Sequence, residues 1–245
     1  MIKSFKVITL KDFIFKRGES MIKYYKKLIL SLSEIQGHPS LLIHGLTGCM
    51  FHCYECFNYD ELVVKKHDEY YLIDDVIEYI VRQKDLFEYI LFSGGEFMLA
   101  SLEDLEEDLS KIKAISDKKI IVYTTGVELH KMKVLTEKKL IDGFHIDMKL
   151  PYHLLTLDDL DLIELTMGIK IKDLTLIEKL IESLHFVVKN DQGISQIRSV
   201  KYPFLDESAF IECKSFIMSL NDLYNKNIPY EAHTFIYAQE DKKED

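Results

Sequence analysis

From about residue 40 onward the chain alternates between two periodicities, and this limits the available folds more than any other feature. Short apolar or β-branched runs at Leu41 to His44, Tyr89 to Phe92, Ile120 to Tyr123 and Phe144 to Met148 read as strands. Between them apolar residues recur at helical spacing, first Ile73, Val76, Ile77, Ile80 and Val81, then Leu102, Leu105, Leu109 and Ile112. A further helix is expected from about His130 to Lys139. Helical patterns at Leu157 to Leu165 and Leu174 to Ser183 lead into His185-Phe-Val-Val188, read as a fifth strand. Ala209, Cys213, Phe216, Ile217, Leu220 and Tyr224 mark one face of a long helix, and a sixth strand is expected near Tyr230 to Tyr237. Strands alternating with helices in this way predict an α/β fold on a parallel sheet. The first forty residues fit less easily: Ile2 to Leu10 reads as a strand and Met21 to Leu32 as a helix.

A chain of 245 residues that is 47% hydrophobic can bury one sizeable core. The expectation is a single domain over 1–245, with 1–39 an extension of open structure and the charged tail 239–245 a frayed end. No run approaches the roughly 18 apolar residues that cross a bilayer, and the start lacks the apolar core of a secretory signal. The formal net charge of −10 argues against a broad grip on nucleic-acid backbone. Of four cysteines, three are bunched, which in such a chain reads as metal binding rather than a disulfide framework. A cytoplasmic location is expected.

The bunched cysteines are Cys49, Cys53 and Cys56, in Gly48-Cys-Met-Phe-His-Cys-Tyr-Glu-Cys-Phe-Asn58. Three thiolates leave a metal site one protein ligand short. On a four-iron cluster that leaves one iron open, whereas a structural zinc site would need a fourth ligand from His44, His52 or Cys213. Two other stretches follow strands. Ser93-Gly-Gly-Glu96 places adjacent glycines, Gly94 and Gly95, beside the carboxylate of Glu96, which suits an ammonium group; a plain strand-to-helix turn is the alternative. Phe144-His-Ile-Asp-Met-Lys149 puts His145, Asp147 and Lys149 on one face by its period of two, either as a site or as a buried ion pair. Tyr123-Thr-Thr-Gly126 offers the hydroxyls of Thr124 and Thr125 for ligand contact or for turn capping. Cys213 reads as a core residue, and the acidic run Asp158 to Glu164 as a solvated face.

The spacing Cys-x3-Cys-x2-Cys resembles the cluster signature of radical S-adenosylmethionine (SAM) enzymes, and the three motifs appear in that superfamily's order over roughly residues 40 to 150. The resemblance implies a partial (β/α)6 TIM-like barrel, a 4Fe-4S cluster on Cys49, Cys53 and Cys56, and S-adenosyl-L-methionine chelated at the open iron. It implies roles for Gly94, Gly95 and Glu96 at the SAM amine, and for Lys149 at its carboxylate with Asp147 organising the site. The implied chemistry is reductive cleavage of SAM to methionine and a 5′-deoxyadenosyl radical. Phe57-Asn58 and Asp-x-Lys are similar to the activating enzymes of glycyl-radical enzymes, as in anaerobic ribonucleotide reductase or pyruvate formate-lyase. A glycyl-radical enzyme as protein substrate, a flavodoxin or ferredoxin-type electron donor, and a late-strand role for His233 at the SAM site follow from that. Three positions depart from the common pattern: Glu55 before the third cysteine, Phe97 after Glu96, and Tyr123 for an acid. Two alternatives stand beside this reading, a small-molecule enzyme resembling 7-carboxy-7-deazaguanine synthase and a non-catalytic metal-binding module.

Overall fold

The computed structural model describes residues 21–237. The expected strand at Ile2 to Leu10 and the tail 239–245 lie outside them. Seven strands form one sheet in sequential order. β1 (Ile29–Ile35) and β2 (His38–Gly45) make an antiparallel hairpin, and from β2 onward every pairing is parallel. The remaining strands are β3 (Tyr89–Gly94), β4 (Lys119–Thr124), β5 (Gly143–Asp147), β6 (Gln196–Lys201) and β7 (Tyr230–Thr234). Six parallel strands with helical crossovers correspond to the expected partial barrel, and β1 is an added edge.

The sheet is curled, and one bond shows how far. Tyr123 on β4 donates its hydroxyl to Glu34 on β1, three strands away. In a flat sheet that separation would be about 14 Å. The closed-in face carries a small apolar plug of Leu42, Leu91 and Ile121. Above the plug come polar residues in register: His44 opposite Ser93, Tyr123 opposite His145, and Asp147 opposite Arg198.

The convex face holds the main core, covered by α1 (Ile73–Arg82), α2 (Leu102–Ile115), α3 (Leu129–Glu137), α4 (Leu160–Met167), α5 (Thr175–Asn190) and α6 (Glu207–Tyr224). Helices on this side and the plug on the other explain why β2, β3 and β4 are nearly continuous apolar runs, since both faces are buried. α1 shows the logic of the outer layer: Ile73, Val76 and Ile80 are buried at a spacing of three and four, with Asp74 and Asp75 in the first turn, where carboxylates favour the helix dipole.

Three elements differ from the sequence reading. Met21 to Leu32 is not a helix: Tyr24 forms isolated bridges to Gly45 and Tyr71, and β1 begins at Ile29. His185 to Val188 is not a strand but the last part of α5. Its valines continue a stripe of Leu180, Leu184, Val187 and Val188 buried at helical spacing, and tertiary packing outweighs their β preference. The strand in that place is β6, Gln196-Ile-Arg-Ser-Val-Lys201, whose alternation of Ile197 and Ser199, both buried, with more exposed neighbours is too polar to stand out as an apolar run. β7 also ends at Thr234, three residues short of the expected Tyr237. Cys213 is buried on α6, as expected of a core residue.

Candidate metal and cofactor site

The parallel strands all end on the same side, and their following loops enclose a cavity of about 330 Å³. Cys49, Cys53 and Cys56 line it from the loop after β2, Gly94, Gly95 and Glu96 from the end of β3, Thr124 and Thr125 from β4, and Asp147 and Lys149 from β5. The three motifs, separated by up to a hundred residues in the chain, thus face one space. His233 is not among the lining residues: about half its side chain is exposed and its Nε2 lies 3.6 Å from Glu231. The chain reaches the cavity one residue later, with Thr234, Phe235 and Ile236.

The cysteine loop turns tightly, the amide of Cys56 donating to the carbonyl of Cys53 at 3.1 Å. Glu55 takes a left-handed φ of 47° in this turn, a conformation that costs a residue with a β-carbon about 1 kcal/mol. The loop is laced to the end of β3. Asn58 Nδ2 donates to Gly94 O at 3.0 Å, Thr47 Oγ1 to Glu96 O at 2.9 Å, and Glu96 N to Gly48 O at 2.7 Å. This lacing accounts for the adjacent glycines. A β-carbon on Gly94 would stand 2.2 Å from Gly45 O, and one on Gly95 2.2 Å from Gly48 O. The adjacent glycines suggest close approach by a ligand, whereas in the structure the end of β2 approaches Gly94 and the start of the cysteine loop approaches Gly95.

Glu96 is almost wholly buried, yet its carboxylate is well supplied with donors. Thr125 gives its amide at 2.8 Å and its hydroxyl at 2.7 Å to one oxygen, and Thr124 gives its hydroxyl at 2.8 Å to the other. Burial raises the Glu96 pKa even so, with these bonds pulling the other way. The two threonines therefore hold the carboxylate in place at the cavity wall.

On the opposite wall Lys149 Nζ lies 2.9 Å from Asp147, as the ion-pair alternative requires, and the pair also faces the cavity. Arg198 on β6, absent from the sequence reading, adds a second cation at 3.3 Å from Asp147, its guanidinium 4.2 Å over the ring of Tyr123. Burial would raise Asp147 and lower Lys149; their mutual attraction wins, holding the carboxyl below its ordinary value and the amine well above. Two cations around one carboxylate leave this wall with a net positive charge, which suits an anionic group such as a carboxylate. The signal for Arg198 in the sequence is the alternation of 196–201.

The donor set fits an iron–sulfur cluster. Among the described residues no three or more His, Cys, Asp or Glu are placed to hold a single metal ion, and all three bunched cysteines line the one cavity. Burial pushes Cys49 up to about 11 and also raises Cys53, against the pull of Lys149. Burial therefore favours the neutral thiol at Cys49 and Cys53, and metal binding there must displace a proton. None of the three suggested fourth ligands for zinc lines the cavity. His52 stacks on Tyr59 at 3.8 Å, Cys213 is in the outer core, and His44 is buried on the inner face beside Ser93.

A fold of this kind with three cysteines at one strand end defines a cluster-binding α/β protein. The chain belongs to the family described as the 4Fe-4S single cluster domain, which it matches over residues 35–159, just over half its length. A 4Fe-4S cluster is accordingly its cofactor. A search among curated proteins found no match. Among solved structures, one of histidine-tagged anSMEcpe with bound AdoMet is similar, at 18% identity and a TM-score of 0.45. The alignment covers 81% of this chain and 52% of that one, so the chain spans about half that protein's length. No helix among the described residues is long and apolar enough to cross a membrane.

Proposed function

We propose that the protein is a radical SAM enzyme that installs a glycyl radical on a partner enzyme. The observation that carries the first half is the meeting of the cysteine loop, Glu96 and Lys149 on one cavity from the ends of three different strands. When bound and reduced, the cluster supplies the electron that cleaves SAM to methionine and a 5′-deoxyadenosyl radical. The chain's own part is to hold and aim. Gly94, Gly95 and the Thr-braced Glu96 receive the amino group of SAM, and Lys149, steadied by Asp147, receives its carboxylate. Tyr123 and Arg198 close the floor and keep bulk water from the reacting carbon.

The partner half rests on Phe57-Asn58 and Asp-x-Lys in the chain, and on the shape of the mouth. Phe57 and Ile236 line the cavity there and are 59% and 65% exposed. Such an apolar, open rim suits a polypeptide better than a small polar metabolite enclosed on all sides. A flavodoxin or ferredoxin-type protein is the proposed electron donor.

The test is 5′-deoxyadenosine release from SAM by the anaerobically reconstituted, reduced protein, beside its Cys53→Ala variant. Release that disappears with Cys53 supports the first half. A full iron complement without release from the unsubstituted protein would sink it, and the non-catalytic reading would take its place. For the second half, a glycyl-radical partner should acquire an organic radical signal in electron paramagnetic resonance (EPR); acceleration by a deazapurine precursor instead would favour the small-molecule alternative.

A further inference from the structure

The cysteine loop is held from a second side, by an element to which neither the family match nor the motifs give a role. Helix α4 ends at Gly168, whose φ of 63° lets its amide close the helix on Glu164 O at 2.8 Å. The last carbonyls of a helix have no partner within it. Here two of them are taken by the cysteine loop: the amide of His52 donates to Met167 O at 3.0 Å and that of Tyr54 to Thr166 O at 3.1 Å. His52 and Tyr54 flank Cys53. Thr166 is fully buried and its own hydroxyl is turned back to Leu162 O at 2.8 Å, so the turn is internally fixed. Gly168 sits so close that an added β-carbon would be 1.9 Å from His52 O and 2.5 Å from His52 C.

We propose that the last turn of α4, Thr166 to Gly168, is a positioning element for the cluster, clamping the backbone on both sides of Cys53 so that its thiol faces the cavity before iron arrives. The inference rests on the assignment of the cluster to the cysteine loop. Gly168 is the positioning residue, because no side chain fits between the helix end and the His52 carbonyl. The acidic stretch leading into α4 is thereby joined mechanically to the metal ligand.

The test compares full-length Gly168→Ala, Gly168→Asn and Gly193→Ala after reconstitution with iron and sulfide. Gly193 has a φ of 88° and nothing within 4 Å of an added β-carbon, so its variant carries the backbone strain without the collision. Asn tolerates a left-handed φ, so Gly168→Asn keeps the collision with little of the strain. Both Gly168 variants should hold iron about tenfold more weakly against a chelator, the size of effect seen when the support of a metal ligand is lost. Their reduced clusters should also show a shifted EPR spectrum, while Gly193→Ala matches the unsubstituted protein in both.

Gly168→Asn with normal iron retention and an unchanged spectrum would overturn the proposal. If the Gly168 variants do not accumulate folded, hydrogen exchange in the unsubstituted full chain decides. The amides of His52 and Tyr54 should be protected before iron is added, and exchange as fast as exposed loop amides would refute the clamp. Failure of the cluster assignment itself reads differently, as undiminished iron in Cys53→Ala.

Discussion

Acid should destabilise this protein through His145 as the pH falls below about 7. His145 is 2% exposed on the inner face of β5, its ring edge-on to Tyr123 at 4.8 Å, and its Nδ1 has no hydrogen-bond partner. The charged and titratable groups around it are Arg198 from β6, Asp147 from β5 and His233 from β7. Burial, helped by Arg198, pushes its pKa from 6.5 down to about 3. With the folded value below the unfolded one, the unfolded chain binds the extra proton, and stability falls as pH drops from above 6.5 towards 3. Between about pH 7 and pH 5 the loss from this one group is about 2 kcal/mol, set almost entirely by the unfolded value because the folded ring is still neutral at the lower pH. The assay is urea unfolding at half-unit steps of pH for the unsubstituted protein and His145→Leu, which removes the titrating ring without orphaning a partner. Their stability difference should shrink by that amount over the two units. A difference independent of pH would mean that the imidazole titrates in the folded protein as it does in the unfolded chain, and the burial of His145 away from water would not hold.

Two further outcomes follow from the lacing of the site. Thr125→Val removes the 2.7 Å hydroxyl bond to a buried carboxylate and should cost about 1.5–3 kcal/mol in denaturant unfolding; a loss under about 0.5 kcal/mol would show that Glu96 is held otherwise. Gly95→Ala places a β-carbon 2.2 Å from Gly48 O and 2.8 Å from a Val63 methyl, so the cysteine loop must move. Roughly 1–3 kcal/mol of stability and much of the bound iron should go together; full iron retention would show that the loop's position does not depend on β3.

The parallel strands and helices that frame the site are legible because each carries a single clear period. Buried parallel strands such as 89–94 have to be apolar on both faces, and helices such as 102–115 on one. His185 to Val188 reads wrongly because two adjacent valines look alike in a strand and in a buried helix stripe, and only contact with the sheet selects between them. β1 is missed since its Ile29, Leu30 and Leu32 fall inside the apolar stretch Met21 to Leu32 that reads as a helix, and only pairing with β2 makes them a strand.

By itself the sequence determined which motifs stand at the strand ends and in what order: three thiols at x3 and x2 spacing, Gly-Gly-Glu and Asp-x-Lys, each at or just after the end of a strand. Local covalent spacing and strand ends decide these, so they need no knowledge of packing. Only the tertiary structure decided what surrounds them. Arg198 joins Asp147, Thr124 and Thr125 brace Glu96, His233 stays outside, and the end of α4 meets the backbone at Cys53. Those contacts depend on the curl of the sheet and on which residues, 28 to over 100 positions apart, become neighbours. Sequence period says which face a residue occupies, and the curvature of the whole sheet says what that face meets.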